Sequence, residues 1–187
     1  MITHSTSLNN TVRTLRQEFD QSFAQPPHTA IAQRESLLAI RMGTAPYAMR
    51  VSEIAGLYVD RRIMPLPSPA SQLLGVAGFR GQIAPVYDLA SLCGYARASG
   101  TRWLILLRSQ EPVALAFETF EMHFSVTSEE IVSTPGGLPV AGGGPQAHFW
   151  DAANSGGVVR PIIQLTSLLH DIQQRAASLI HTKRGYP

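Results

Sequence analysis

Apolar residues change rhythm twice along this chain. Leu8, Val12, Leu15, Phe19 and Phe23 recur every three or four residues, the spacing that lines one side of a helix, and Pro26-Pro27 ends it. The opposite face mixes Arg13, Arg16, Glu18 and Asp20, so it lacks the positive bias of a helix lying on anionic lipid. Such a helix docks on its own domain, extends loosely from it, or binds a partner.

From Ser36 to Leu92 the rhythm shortens. In Tyr47 to Val51, Tyr47, Met49 and Val51 share one face while Ala48 and Arg50 share the other, the alternation of a half-buried strand. Gly43 to Pro46, Pro65 to Pro69 and Arg80-Gly81 separate short extended segments, and Ser52 to Ala55 and Ser71 to Leu74 read as short helical turns. A second set begins near Arg102. Trp103 to Leu107 is too continuously apolar to face water on either side and predicts a central strand. Gln110-Glu111-Pro112 supplies a turn before Val113 to Phe117, and Met122 to Val126 continues the set. Ser133 to Pro145, rich in glycine and proline, predicts an exposed loop. His148 to Asp151 and Val158 to Gln164 flank the hairpin signal Asn154-Ser155-Gly156-Gly157. The rhythm then lengthens again: Leu165, Leu168, Leu169, Ile172, Ala176, Leu179 and Ile180 mark a terminal amphipathic helix with Thr166 or Ser167 near its start. Many short strands in two sets suit small β-barrels, which remove exposed strand edges.

Composition narrows the function classes. With 187 residues, 44% hydrophobic and 15% charged, the chain can bury a substantial core in one domain or two small packed ones. Its net charge is only +2, and the arginines are scattered, with adjacent basic pairs only at Arg61-Arg62 and Lys183-Arg184. Nucleic-acid binding needs a concentrated positive face, so that partner is not expected. The single cysteine, Cys93, allows no intramolecular disulfide and makes the cytoplasm the default compartment. No segment approaches the ~20 apolar residues that span a bilayer, so no direct membrane insertion is expected.

Catalytic chemistry finds little to use. No Gly-x-Ser-x-Gly elbow occurs, and the run from Gly136 to Gly144 lacks the Gly-Lys-Ser/Thr ending that meets phosphate and magnesium. His4, His28, His123, His148, His170 and His181 never fall at His-x-x-x-His spacing, and Cys93 has no second thiol. No catalytic residue, metal or cofactor is expected.

The most informative segment runs from Gly75 to Leu89, where Arg80-Gly81 joins two apolar, strand-like runs. Val76, Ile83, Val86 and Tyr87 favour extended backbone and Gly81 supplies a tight turn, so a hairpin with Arg80 at its tip follows. The Arg80 guanidinium is a rigid fork of donors that clamps either a carboxylate or carbonyls on a partner, or an acid of this chain such as Asp88.

Gly75-Val76, Phe79-Arg80-Gly81 and Ile83-Ala84-Pro85-Val86-Tyr87-Asp88-Leu89 closely resemble the pattern of the CheW family of chemotaxis coupling proteins: Gly-Val, a short variable stretch, Leu-Arg-Gly, then Ile-x-Pro-Val-Ile-Asp-Leu. Tyr47-Ala48-Met49-Arg50-Val51 with Ile54 and Leu57 resembles the family's first block, and Met64-Pro65-Leu66-Pro67 its second. The likeness covers roughly residues 35 to 170. Trp103 to Leu107, Val113 to Phe117 and Val126 to Ile131 follow the later strands in order more than in identity. Two departures touch contact chemistry: Gly78-Phe79 stands where the family has Asn-Leu, and Gly56 where many members have a glutamate.

The resemblance implies a mainly β, CheW-like fold of two packed five-stranded β-barrels with a hydrophobic seam, to which the apolar spacing adds an N-terminal amphipathic helix and a C-terminal helix. Residues 1–34 would form an extension, 35–181 the domain and 182–187 a tail. It further implies a non-enzymatic adaptor coupling the cytoplasmic tip of a chemoreceptor (a methyl-accepting chemotaxis protein) to the regulatory domain of a CheA-type histidine kinase, recruited to membrane-associated receptor arrays by its partners. Arg80 carries over as an interaction residue. Ile54 and Leu57 correspond to the apolar patch near the receptor groove, though their spacing alone also fits ordinary core. Gly56, Phe79, Gly81 and Asp88 complete the implied interaction set, Asp88 also serving to fix a turn. An adaptor of a non-swimming chemosensory pathway, or a ligand-binding or enzymatic β-barrel that kept only the architecture, stand as alternatives.

Overall fold

The computed structural model describes residues 34–97, 100–134, 137 and 148–183. The expected N-terminal helix and most of the expected loop between Ser133 and Pro145 lie outside the described residues. The strands are β1 (Arg34–Met42), β2 (Ala45–Arg50), β3 (Ile54–Val59), β4 (Leu73–Phe79), β5 (Gln82–Asp88), β6 (Trp103–Leu107), β7 (Ala114–Phe117), β8 (Thr119–Thr127), β9 (Ile131–Ser133), β10 (Asp151–Ser155) and β11 (Val158–Ile163). A short helix α1 (Leu89–Leu92) follows β5, and the terminal helix α2 runs from Leu165 to Lys183.

The strands form two sheets, ordered β8-β1-β2-β11-β10-β9 and β3-β6-β7-β5-β4. The first therefore has six strands where five were expected. Its extra member arises because Thr127 and Glu130 form a reciprocal capping box around the 3-10 turn Ser128–Glu130, which breaks the extended run from Val126 to Ile131 and sets off β9. The turn expected over Ser71 to Leu74 also gives way, since Leu73 already pairs with Tyr87 across β4 and β5.

Three apolar clusters account for the sequence rhythm. Leu37, Ala48, Val126, Ala153 and Ile162 fill the inner face of the six-stranded sheet. Ala77, Phe79, Ala84, Val86, Leu104, Ala114 and Ala116 fill that of the five-stranded sheet. Between the sheets lies the seam, where Ile40, Tyr47, Met49, Ile105, Leu115, Phe117 and Phe149 meet Leu165, Leu168 and Ile172 of α2. Trp103 to Leu107 is apolar throughout because Leu104 and Leu106 face inward while Ile105 and Leu107 face the seam. Fully burying a Leu or Ile side chain is worth roughly 1.5–3 kcal/mol, so these clusters are the main source of stability.

Charged groups close the six-stranded sheet. Arg50 donates to Glu35, Gln164 and Asp151, and Asp151 also accepts from Ser133 and Gln164. Elsewhere in the same sheet Glu121 accepts from Arg41, and its second oxygen lies 2.7 Å from the nearly buried Arg160 guanidinium. Burial works against ionising Asp151 and Glu121, but the donors around each outweigh it and hold both carboxyls below their usual range.

Candidate functional site

β4 and β5 pair in antiparallel register from Leu73↔Tyr87 to Phe79↔Gln82, leaving Arg80-Gly81 as a two-residue turn. Both turn residues have positive φ, 47° at Arg80 and 84° at Gly81, the backbone whose twist matches that of a hairpin. Glycine adopts that backbone freely, whereas arginine does so at a cost of roughly 1–2 kcal/mol. Arg80 is exposed and enters no ion pair or hydrogen bond among the described residues. Asp88, the acid offered as its internal partner, is fully buried and caps α1 instead, its Oδ1 accepting from the Ser91 amide and hydroxyl at 2.7 and 2.6 Å.

The hairpin is anchored by a close backbone approach. Met64 and Val76 exchange backbone hydrogen bonds of 2.8 and 2.9 Å, and at Gly75, with φ +145°, a β-carbon would lie 2.0 Å from the Met64 carbonyl oxygen. Only glycine lets the Met64 strand pass there.

The residues implied by the family resemblance separate into three groups. Arg80 and Gly81 stand at the exposed tip. Phe79 lies just beneath, buried, with its ring 4.9 Å from that of Tyr58 on β3. Half-buried Gly56 leaves the room Tyr58 occupies, since a β-carbon there would meet that ring at 2.9 Å. Ile54 and Leu57 belong to the seam, Ile54 buried and Leu57 partly so. Beside Ile54, Ser52, Glu53, Leu107, Arg108, Leu165 and Leu169 line a cleft of about 180 Å³, and Arg108 donates to the Ser52 and Ile54 carbonyls. Asp88 sits at the far end of β5 from Arg80.

Three surface features escaped the sequence reading. Ile83 is 72% exposed and Met64 62% exposed, both on the outer face of the hairpin. The strict alternation of Ile83 with buried Ala84 and Val86 carried that signal. Arg61 lies over the Tyr58 ring, 5.2 Å from its centre, a contact no spacing rule reveals. Arg175 on α2 rims a second cleft floored by Leu73 and Tyr87.

Cys93 is buried, and burial followed by the charge of Asp88 pushes its thiol up to about 12. Among the described residues no group of three His, Cys, Asp or Glu is placed to hold a metal, and no helix is long and apolar enough to cross a membrane.

Two apolar-filled sheets sharing one seam, with a cationic and apolar hairpin on the outside, define a β-rich scaffold. The CheW-like domain family matches residues 36–173, and the chain belongs to that family. A solved structure, the scaffolding protein TtCheW from Thermoanaerobacter tengcongensis, is similar over 70% of this chain and 89% of its own, with a TM-score of 0.62. At 16% identity that likeness concerns the fold. No curated protein matches the sequence.

Proposed function

We propose that this protein is a non-enzymatic adaptor that joins a chemoreceptor's cytoplasmic tip to the regulatory domain of a CheA-type histidine kinase. Family membership supports the scaffold class. The observation that carries the reading is Arg80: an exposed guanidinium without an ion pair among the described residues, held in a left-handed turn where glycine, asparagine or aspartate would cost less. Strain retained at an exposed tip is explained by what the side chain contacts outside the chain. The Arg80 hairpin is thus one partner surface, with Gly81 beside Arg80 in the turn, Phe79 and Gly56 shaping it from beneath and Asp88 holding the far end of β5. The seam cleft beside Ile54 is a second, suited to an apolar helical tip.

Coupling works by unequal binding. An adaptor that holds receptor and kinase together biases kinase activity only to the extent that its contacts differ between receptor states. Calorimetric titration with the regulatory domain and, separately, a receptor cytoplasmic fragment from the same organism tests the reading. Binding to either, weakened at least tenfold by Arg80→Ala with an unchanged unfolding midpoint, is expected. Binding to neither by the folded wild-type protein would overturn it.

A further inference from the structure

The outer face of the β4–β5 hairpin continues well beyond its arginine tip. Cross-strand partners share a face, so Gly78 and Ile83 form one row, Val76 and Pro85 the next, and Leu73 and Tyr87 the last. Met64 joins the middle row through its bridge to Val76. At the Tyr87 end this face meets α2 in a cleft of about 260 Å³, floored by Leu73, Tyr87 and Leu92 and walled by Ser68, Ile172 and Arg175. At the tip end it is bare, with Ile83 and Met64 its most exposed side chains.

Charge along this stripe has one sign. Arg80 stands at one end and Arg175 at the other, both exposed and neither in an ion pair among the described residues. The hairpin's one carboxylate, Asp88, points inward and caps α1. Asp171, one turn before Arg175, faces His148 at 3.2 Å. From Tyr87 to Gln82 the strand advances about 17 Å, which a helix covers in about eleven residues, or three turns.

Resting on the adaptor reading above, we infer that this stripe, from the Arg175 cleft to Arg80, docks an amphipathic helix of a protein partner, apolar along one face and acidic at both ends. Apolar side chains at i, i+3 and i+4 would cover Ile83, Val76 and Tyr87, and terminal carboxylates would meet the two guanidinium groups. A partner basic at either end is disfavoured by like charge.

The test titrates wild type, Ile83→Asp, Arg175→Glu and, as a control on the other sheet, Val159→Asp against the receptor fragment and the kinase regulatory domain. Hydrogen exchange on the bound partner then locates the protected segment. At least one partner should lose tenfold or more in affinity with both Ile83→Asp and Arg175→Glu, less than twofold with Val159→Asp, and protect a helix bearing acids at both ends. Wild-type binding that both stripe variants leave within twofold would overturn this inference alone, as would an equal loss with the control. Protection confined to a strand, a loop or a basic helix would also overturn it. Binding to neither partner would overturn the adaptor reading and this inference together.

Discussion

The two sheets handle charge in opposite ways. The six-stranded sheet pairs most of its arginines within the chain: Arg50 is shared among Glu35, Gln164 and Asp151, and Arg160 faces Glu121, which also holds Arg41. The five-stranded sheet is lined inside by small apolar groups, chiefly Ala77, Ala84, Ala114 and Ala116, and its cations stand outside. Arg102 pairs with Asp60 at the surface, Arg61 lies on Tyr58, and Arg80 meets nothing in this chain's described residues. Arginines paired with acids of this chain explain their own retention through stability, whereas one on a strained backbone with no ion pair among the described residues needs a partner. The comparison therefore separates a self-closed half from an outward-facing one.

The largest expected effect lies in the five-stranded half. Gly75→Ala places a β-carbon against the Met64 carbonyl at a backbone angle side chains avoid, and should cost about 3 kcal/mol. Gly43→Ala, in the β1–β2 turn with φ +60° and open space around it, should cost only about 1 kcal/mol. Urea unfolding of the two variants checks the contrast, and equal losses would show that the Met64 strand yields.

Arg50→Ala comes next, because it leaves Glu35 and Asp151 close together without their shared cation. A loss of about 3 kcal/mol is expected. The same network gives a pH signature. Asp151, which accepts from Arg50, has a folded pKa below its unfolded one, so its contribution is full above the ordinary carboxylate range and is lost as pH falls below about 4. Arg50→Ala should flatten that acid limb in thermal scans; an unchanged limb would assign it to other carboxylates.

Much of the strand layout beneath this contrast was legible in advance, and the reason differs by element. The β4–β5 hairpin could be read because Arg80-Gly81 interrupts two alternating runs, and β6 because Trp103 to Leu107 has no polar face. Local rhythm fixes such elements. The split of β8 from β9 depended on a capping box inside an otherwise strand-like run, and the start of β4 at Leu73 depended on pairing with Tyr87. Ile54, Leu57 and Phe79 carried family positions, but their burial in cores built from distant strands is a tertiary fact. Arg175 reaches its cleft only because α2 packs beside β5 across the seam, nearly ninety residues away in sequence.

A smaller effect sharpens the functional side of the comparison. Arg80→Gly should change stability by less than about 1 kcal/mol, since relief of the left-handed backbone offsets the greater freedom of the unfolded chain. Partner affinity should nevertheless fall at least tenfold. A variant that unfolds more readily, yet binds normally in its folded fraction, would move Arg80 into the self-closed class with Arg50.

The smallest expected effect belongs to the joint between the halves. His148 is buried, with Nδ1 3.1 Å from the Ser167 hydroxyl and Nε2 3.2 Å from Asp171, so it fastens the chain before β10 to α2. Burial lowers its pKa and nearby Arg175 adds to that, while Asp171 opposes both without cancelling them. The unfolded chain therefore takes up the proton more readily than the folded one. Stability from this residue is present above its ordinary value near 6.5 and declines as pH falls through the lower folded value. The unfolding midpoint should drop modestly between pH 7.5 and 5.5, well above the carboxylate range, and His148→Gln should remove that slope while keeping an amide to bond Ser167. A slope that persists in His148→Gln would place the titration elsewhere.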